Sequence, residues 1–255
     1  LYNISIMPEI QIASDLHIEY KNDEVPNPLD YITPTGQILI LAGDIGSLYK
    51  LRQLEGFLSE LSKLFQAVLY VPGNHEFYTI PLCRALSYEA LEERLKYLET
   101  KIKNLHILNR ESVRIGNTCI IGCTLWSNPK CNVPPFIVRV AGLHTREYMS
   151  RHLKDVQYIE NMIKYCVNHG YELIIVTHHP PTLKAVEGWK RKKFISLYAT
   201  DLEYLIERSK ISYWICGHTH QNIDIVRNNC RIVTNQKGKV KDNIQDYKKS
   251  FLLSF

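Results

Sequence analysis

The stretch Ala67–Glu76 reads AVLYVPGNHE and joins an apolar run to a polar turn. Its first five residues are apolar, which is typical of a strand buried on both faces of a sheet. The turn then carries Asn74, His75 and Glu76, whose side chains can bind metal ions or move protons. This pattern favours an α/β domain whose chemistry lies at the carboxyl edge of a sheet.

The same pattern, an apolar run followed at once by polar side chains, occurs four more times. The other runs are Ile10–Ala13, Ile38–Ala42, Leu173–Val176 and Ser212–Cys216. Because the carboxyl ends of parallel strands meet at one edge of a sheet, we expect the side chains that follow them to converge. That convergent set is Asp15, His17, Asp44, Asn74, His75, His178, His179, His218 and His220.

The segments between these runs predict the rest of the architecture. Apolar residues spaced by three and four over Leu48–Phe65, Leu91–Ile102 and Leu153–Cys166 indicate amphipathic helices. The strand-like segments Ser112–Ile115 and Thr118–Leu125 follow one another without a helix between them. We therefore expect two sheets packed face to face, with helices on the outside.

Composition excludes several classes of protein. With 255 residues, 45% of them hydrophobic and 22% charged, the chain is neither disordered nor rich in apolar runs long enough to span a membrane. Its seven cysteines contain no Cys-x-x-Cys pair, which argues against a disulfide framework or a cysteine zinc site. The first residues lack the features of a signal peptide, so we expect a cytoplasmic protein. A net charge of +5 suits anionic substrates but is too small to indicate nucleic acid by itself.

Taken together, the polar motifs resemble those of the calcineurin-like metallophosphoesterases over roughly residues 8–235. The motifs are Asp15-x-His17, Gly43-Asp44, Gly73-Asn74-His75-Glu76, His178-x-Pro180 and Gly217-His218-x-His220. The resemblance implies an α/β fold, a four-layer αββα sandwich with two mixed β-sheets flanked by helices. It also implies a phosphohydrolase or phosphodiesterase of the small stand-alone type, in which residues 1–255 form a single domain.

The resemblance further implies a site for two divalent metal ions. One ion would be bound by Asp15, His17, Asp44 and His220, and the other by Asp44, Asn74, His178 and His218, so that Asp44 bridges them. Imidazole, carboxylate and amide ligands without a thiolate favour Mn, with Fe or Zn as alternatives. A hydroxide between two such ions exists at neutral pH and can attack phosphorus in line.

His75 is not a metal ligand in that family. We predict that it bonds a phosphate oxygen and helps to protonate the leaving group, with orientation of the metal ligands as the alternative. Asn74, His75 and Arg191 are predicted to contact the substrate. Glu76 is expected either to orient the metal ligands or to be structural, and not to be catalytic.

Two long loops are predicted to lie over the site, a capping loop at 127–150 and a basic loop at 180–199. The second loop carries Lys190, Arg191, Lys192 and Lys193, which would either clamp a second phosphate or a nucleic-acid backbone, or be solvated. The basic segment Lys237–Lys249 is expected to be merely exposed.

Three functions remain open on the sequence. The protein phosphatases of this superfamily continue their second motif as Asp-x-x-Asp-Arg-Gly, whereas Ile45-Gly46-Ser47-Leu48 follow Asp44, so a phosphoprotein substrate is disfavoured. We favour hydrolysis of a phosphodiester or of a small phosphorylated substrate. The alternatives are a nuclease with the same site and a non-catalytic scaffold with this fold. The filled ligand positions favour an enzyme over the scaffold.

Overall fold

A computed structural model of the protein describes residues 8–189, 192–207 and 210–254, without the side chains of Lys192 and Lys193. Four of its strands form one sheet, and neighbouring strands in this sheet run parallel. In spatial order they are β1 (Ile10–Ala13), β2 (Ile38–Ala42), β3 (Ala67–Val71) and β4 (Leu105–Ile107). Leu252 adds an isolated antiparallel bridge to Gln11 at the edge of this sheet.

The second sheet has six strands and is mixed. They are β5 (Glu111–Ile115), β6 (Thr118–Cys123), β7 (Glu172–Thr177), β8 (Ile211–Cys216), β9 (Asp224–Arg227) and β10 (Cys230–Thr234). Their spatial order is β5-β6-β7-β8-β10-β9, with the two edge strands antiparallel to their neighbours.

Alternation of side chains along the strands explains the layers. In β2, Ile38, Ile40 and Ala42 pack between the two sheets, whereas Leu39 and Leu41 face the outer layer of helices. Both faces of the strand are therefore buried, as its continuous apolar run predicts.

Helices cover the outer face of each sheet. The first sheet is covered by α1 (Leu51–Ser62) and α2 (Tyr88–Lys101) and the second by α3 (Thr145–His169) and α4 (Glu203–Glu207). The predicted αββα sandwich is therefore confirmed. Among the described residues, no helix has both the length and the apolar character that a bilayer crossing requires.

Three details differ from the sequence prediction. Strand β4 was not predicted, because it has only three residues and the middle one is His106. Helix α3 begins at Thr145, inside the predicted capping loop at 127–150. The loop at 180–199 contains short 3₁₀ helices at Leu183–Val186 and Lys192–Leu197.

Candidate metal centre

Sharp turns after β1, β2 and β8 bring the predicted ligands to one edge of the sandwich. Asp15, His17, Asp44, His218 and His220 all have positive φ angles, between 50° and 74°. This left-handed conformation costs a residue with a side chain about 1–2 kcal/mol. Such strain concentrates at functional sites, where it fixes the direction of a side chain.

Two glycines allow the turns to approach one another. Gly43 has φ 87°, and a side chain there would collide with the ring of His178. A side chain at Gly73 would collide with the carboxylate of Asp44. Both positions therefore require glycine if the candidate ligand side chains are to lie this close.

A first cluster contains Asp15, His17 and His220. The Nε2 atom of His220 lies 3.2 Å from Oδ1 of Asp15 and 3.0 Å from Nε2 of His17. The Nδ1 atom of His17 is 2.9 Å from Oε1 of Glu19, and Nδ1 of His220 is 2.5 Å from Oδ2 of Asp242. Each of these carboxylates accepts a hydrogen bond from an Nδ1–H group. The Nε2 atoms of His17 and His220 are then unprotonated, and their lone pairs face each other.

A second cluster contains Asp44, Asn74, His178 and His218. The Nδ1–H of His178 donates to the carbonyl oxygen of Ala42 at 2.9 Å, which leaves its Nε2 atom as an acceptor. That Nε2 atom lies 2.9 Å from Oδ1 of Asn74 and 3.3 Å from Oδ1 of Asp44. It is also 3.2 Å from Nδ1 of His218.

The carboxylate of Asp44 lies between the two clusters. Its Oδ1 atom faces His178, and its Oδ2 atom is 3.8 Å from Nε2 of His17. Burial alone would raise the pKa of Asp44, but the rings of His178 and His75 hold it well below its usual value. One buried carboxylate is thus placed to serve both clusters.

The donor set fits divalent cations. Lone pairs of His17 and His220, and of His178 and Asn74, converge without a hydrogen between them, which is unfavourable unless a cation or an added proton occupies the space. In addition, Nε2 of His218 is buried without a hydrogen-bond partner among the described residues. The carboxylates likewise raise the pKa of His178 to about 9 against the effect of burial, so the site attracts positive charge.

Glu76 holds the turns of the centre in place. Its carboxylate accepts hydrogen bonds from the backbone N–H groups of Ile45 at 2.7 Å and Gly73 at 2.8 Å, and from the hydroxyl of Tyr70 at 2.5 Å. It also accepts from the N–H groups of Asp44 and Gly46. The side chain is fully buried, in keeping with the structural role expected for it.

We expect Glu76→Gln to lower the free energy of unfolding by about 2–4 kcal/mol. The amide loses one of two accepting oxygens and turns an N–H group toward buried backbone donors, each of which costs about 1–3 kcal/mol when unpaired. Urea titration followed by circular dichroism measures the change. Glu60→Gln removes an exposed ion pair with Lys63 and should change stability by less than about 1 kcal/mol. Equal effects of the two variants would contradict the anchoring role.

His75 lies beside the centre, with its two ring nitrogens in different surroundings. Its Nδ1 atom is 2.9 Å from Oε1 of Glu19, the same oxygen that is bonded to His17. Its Nε2 atom lies 4.0 Å from Oδ2 of Asp44 and 3.3 Å from Nζ of Lys239. Glu19 therefore orients two histidines at once through a single oxygen atom.

Glu19 was missed by the sequence analysis, although it stands two residues after His17 and the pattern Asp-x-His-x-Glu is visible. Burial would raise its pKa, but hydrogen bonds from His17 and His75 lower it to about 2. The expectation that Lys237–Lys249 is merely exposed is wrong at Lys239, whose ammonium group reaches His75 from a turn near the C-terminus. Nothing in local sequence marks a contact between residues 164 positions apart.

The adjacent histidines His178 and His179 point in different directions, as side chains of an extended segment do. Nε2 of His178 faces Asp44, whereas Nδ1 of His179 lies 3.3 Å from the carbonyl oxygen of Thr124. Burial lowers the pKa of His179 to about 3, and its ring packs 4.0 Å from the ring of His218. His179 therefore packs against the ring of His218 and does not face Asp44.

We expect His178→Ala to reduce the bound metal per chain more strongly than His179→Ala. The first change removes a ring nitrogen on which three other donor atoms converge, and the second removes only packing behind His218. Elemental analysis of both variants after gel filtration gives the comparison. Equal losses, or a larger loss in His179→Ala, would show that the wrong member of the pair had been chosen.

A cleft of about 580 Å³ opens over the centre. Its lining includes His75, Phe136, Arg139, Trp189, Tyr198 and Lys239. Both predicted loops thus contribute to its walls. Lys190 and the predicted substrate contact Arg191 lie outside the described residues, as do the side chains of Lys192 and Lys193, so their predicted grip on the substrate stays a prediction.

Comparison with known proteins agrees with this geometry. The model of the calcineurin-like phosphoesterase family matches residues 9–222, and the chain belongs to this family. The chain is similar to an uncharacterised protein of Acanthamoeba polyphaga mimivirus, with 26% identity over 90% of each chain.

Two solved structures share the fold. The phosphopantetheinyl hydrolase of Mycobacterium tuberculosis has a TM-score of 0.75 and 17% identity, over 96% of this chain and 94% of its own. A protein assigned as a 5′-nucleotidase from Staphylococcus aureus has a TM-score of 0.50 and 13% identity, over 89% of this chain and 48% of its own. The predicted family resemblance is confirmed. Members of this family bind divalent metals and hydrolyse phosphate esters, and the clusters described here are candidate sites for such ions.

Proposed function

We propose that this member of the calcineurin-like phosphoesterase family hydrolyses a phosphodiester or a small phosphorylated substrate at a centre of two divalent metal ions. The observation that carries the proposal is the pair of clusters that share the carboxylate of Asp44, with acceptor atoms facing one another in each. Two cations held close together need an anionic group between them to offset their repulsion.

The residues of each cluster would hold one ion. Asp15, His17, Asp44 and His220 would hold the first, and Asp44, Asn74, His178 and His218 the second. Mn suits this donor set, with Fe or Zn as alternatives. When bound, such ions lower the pKa of water and offset the negative charge of a phosphate.

His75 is placed to handle a proton at Nε2. Glu19 accepts the Nδ1–H and fixes the ring, so that Nε2 faces the cleft beside Asp44 and Lys239. In its doubly protonated form the ring can bond a phosphate oxygen through Nε2–H or pass that proton to the leaving group. Asn74 and His75 follow one another in the turn after β3, so one segment serves both the metal centre and the substrate.

The comparisons support a small ester over nucleic acid. The neighbour with the TM-score of 0.75 is a phosphopantetheinyl hydrolase, and neither it nor the family match adds support for a nucleic-acid partner. A non-catalytic scaffold is the remaining alternative. His75 argues against a scaffold, because this residue is only 8% exposed yet lines the cleft, where a protein that only binds a partner would not need a proton donor.

A substrate panel with Mn²⁺ tests the proposal. The panel contrasts an aryl monoester, an aryl diester, cyclic nucleotides and a short single-stranded DNA, each with Mn²⁺ and with chelator. We expect metal-dependent release of phosphate or alcohol from one of the small esters. Cleavage of the DNA alone would favour the nuclease, and two bound metals without turnover of any substrate would favour the scaffold.

A further inference from the structure

A second cavity of about 340 Å³ adjoins the cleft over the metal centre. Four lysines line it, namely Lys21, Lys237, Lys239 and Lys241, and we call it the lysine pocket. Lys239 and Lys241 line both spaces, together with Tyr20, so the pocket is continuous with the cleft. No carboxylate of the described residues lines the pocket itself, but Asp242 lines the adjoining cleft, and Glu24 and Asp30 line a neighbouring cavity beyond Lys21 and Lys237.

The described residues neutralise the four ammonium groups only in part, since the carboxylate of Asp242 attracts Lys239 without forming an ion pair. Among the described residues, none of them forms an ion pair with a carboxylate; Lys239 lies 5.3 Å from the ring of Tyr20, and Lys237 lies 5.2 Å from the ring of Tyr31. Burial and the charges of Lys21 and Lys249 lower the pKa of Lys237, which shows mutual repulsion. A bound anion would relieve this repulsion.

The turn that carries three of these lysines is tied to the metal centre. Oδ2 of Asp242 accepts hydrogen bonds from Nδ1 of His220 at 2.5 Å and from the backbone N–H of Lys239 at 2.8 Å. Gly238 has φ 67°, and a side chain there would press on Ile244, so the turn in this form requires glycine at this position. The family match ends at residue 222, so this turn lies outside the matched residues.

We infer that the lysine pocket binds a second anionic group of the substrate, a phosphate beyond the one that is hydrolysed. This inference rests on the proposed function. Lys21 and Lys237 line the pocket but not the cleft, so a phosphate at the metal centre does not reach them. Lys239, 3.3 Å from His75, stands between the two positions and can contact either phosphate. The substrate class is therefore a phosphate ester that carries another phosphate.

Calorimetry on the full chain, with Mn²⁺ and after chelator, tests this inference. The probes are adenosine 3′,5′-bisphosphate and adenosine 5′-monophosphate, and the readout is the ratio of their Kd values. We expect the bisphosphate to bind at least about tenfold more tightly, which corresponds to one hydrogen bond between charged groups. The preference should persist without metal, because the lysines supply the charge.

Three variants locate the effect. Lys239→Met, and Lys21→Met combined with Lys241→Met, should bring the ratio toward one. Lys21 and Lys241 are exposed, so their replacement leaves the fold intact. Lys103→Met removes an equal charge just before β4, at the opposite end of that sheet, and should keep the ratio of the original protein.

Equal binding of the two probes, or a ratio unchanged in both lysine variants, would overturn the inference. Tighter binding of the monophosphate in the presence of inorganic phosphate would show that the pocket takes a free anion, and the assignment to the substrate would be wrong. If Mn²⁺-loaded protein hydrolyses no ester but keeps the bisphosphate preference, the proposed function fails and the pocket stands. If the protein hydrolyses an ester but does not prefer the bisphosphate, the proposed function stands and the lysine pocket is not a phosphate site.

Discussion

Asp44→Asn is expected to lose one or both metal ions and nearly all turnover. The amide keeps the shape of the carboxylate and can still accept the 2.8 Å hydrogen bond from the backbone N–H of His75 at Oδ1. What it lacks is the negative charge between the two clusters, which would offset the repulsion between two neighbouring cations. The loss of rate should exceed the about 10²–10³-fold that follows removal of one charge-stabilising group from an active site.

Elemental analysis and turnover of the same preparation measure both effects, with circular dichroism to show that the variant is folded. Asp224→Asn is the matched control. It makes the same chemical change on the edge strand β9, where Asp224 forms an ion pair with Arg231 of β10, and it should leave metal content and rate unaltered. An Asp44→Asn protein with two metals per chain and near-normal turnover would refute a shared ligand at this position.

The fold could be predicted because its core strands are buried on both faces. A continuous apolar run such as Ile38–Ala42 is too short for a helix, so its length and the polar turn that follows it favour a buried strand. Strand β4 has no continuous apolar run. It is an edge strand of three residues that pairs with β3, and its middle residue is a half-buried histidine. Short edge strands depend on tertiary pairing more than on local pattern.

The convergence of the candidate ligands could be predicted for a related reason. Their positions follow from the rule that parallel strands present their carboxyl ends at one edge, which needs no knowledge of side-chain contacts. Glu19, Asp242 and Lys239 obey no such rule, because each lies in a 3₁₀ turn or loop whose placement depends on packing. These three residues orient rings or add charge, and only the folded chain shows which histidine each one contacts.

His75→Ala separates binding of the metals from their use. The ring lies 4.0 Å from Oδ2 of Asp44, and its Nδ1 atom is engaged by Glu19, so its removal should leave metal content nearly unchanged. The rate should fall by about 10²–10⁴, the usual effect of removing a positioned acid. His169→Ala, at the end of α3, removes an exposed imidazole and should change neither quantity.

The size of the rate loss in His75→Ala should depend on the leaving group. An aryl oxide leaves with little protonation, whereas an alkoxide needs the proton, so an alkyl ester should suffer a larger loss than an aryl ester of the same phosphate. Equal slowing of both esters with metal retained would mean that the ring only grips a phosphate oxygen, as Lys239 beside it can also do. A fall in metal content along with the rate would instead make His75 a residue that orients the ligands, through the Glu19 oxygen that it shares with His17. Proton transfer from Nε2 is supported only if the rate falls more for the alkyl ester than for the aryl ester while the metal content stays constant.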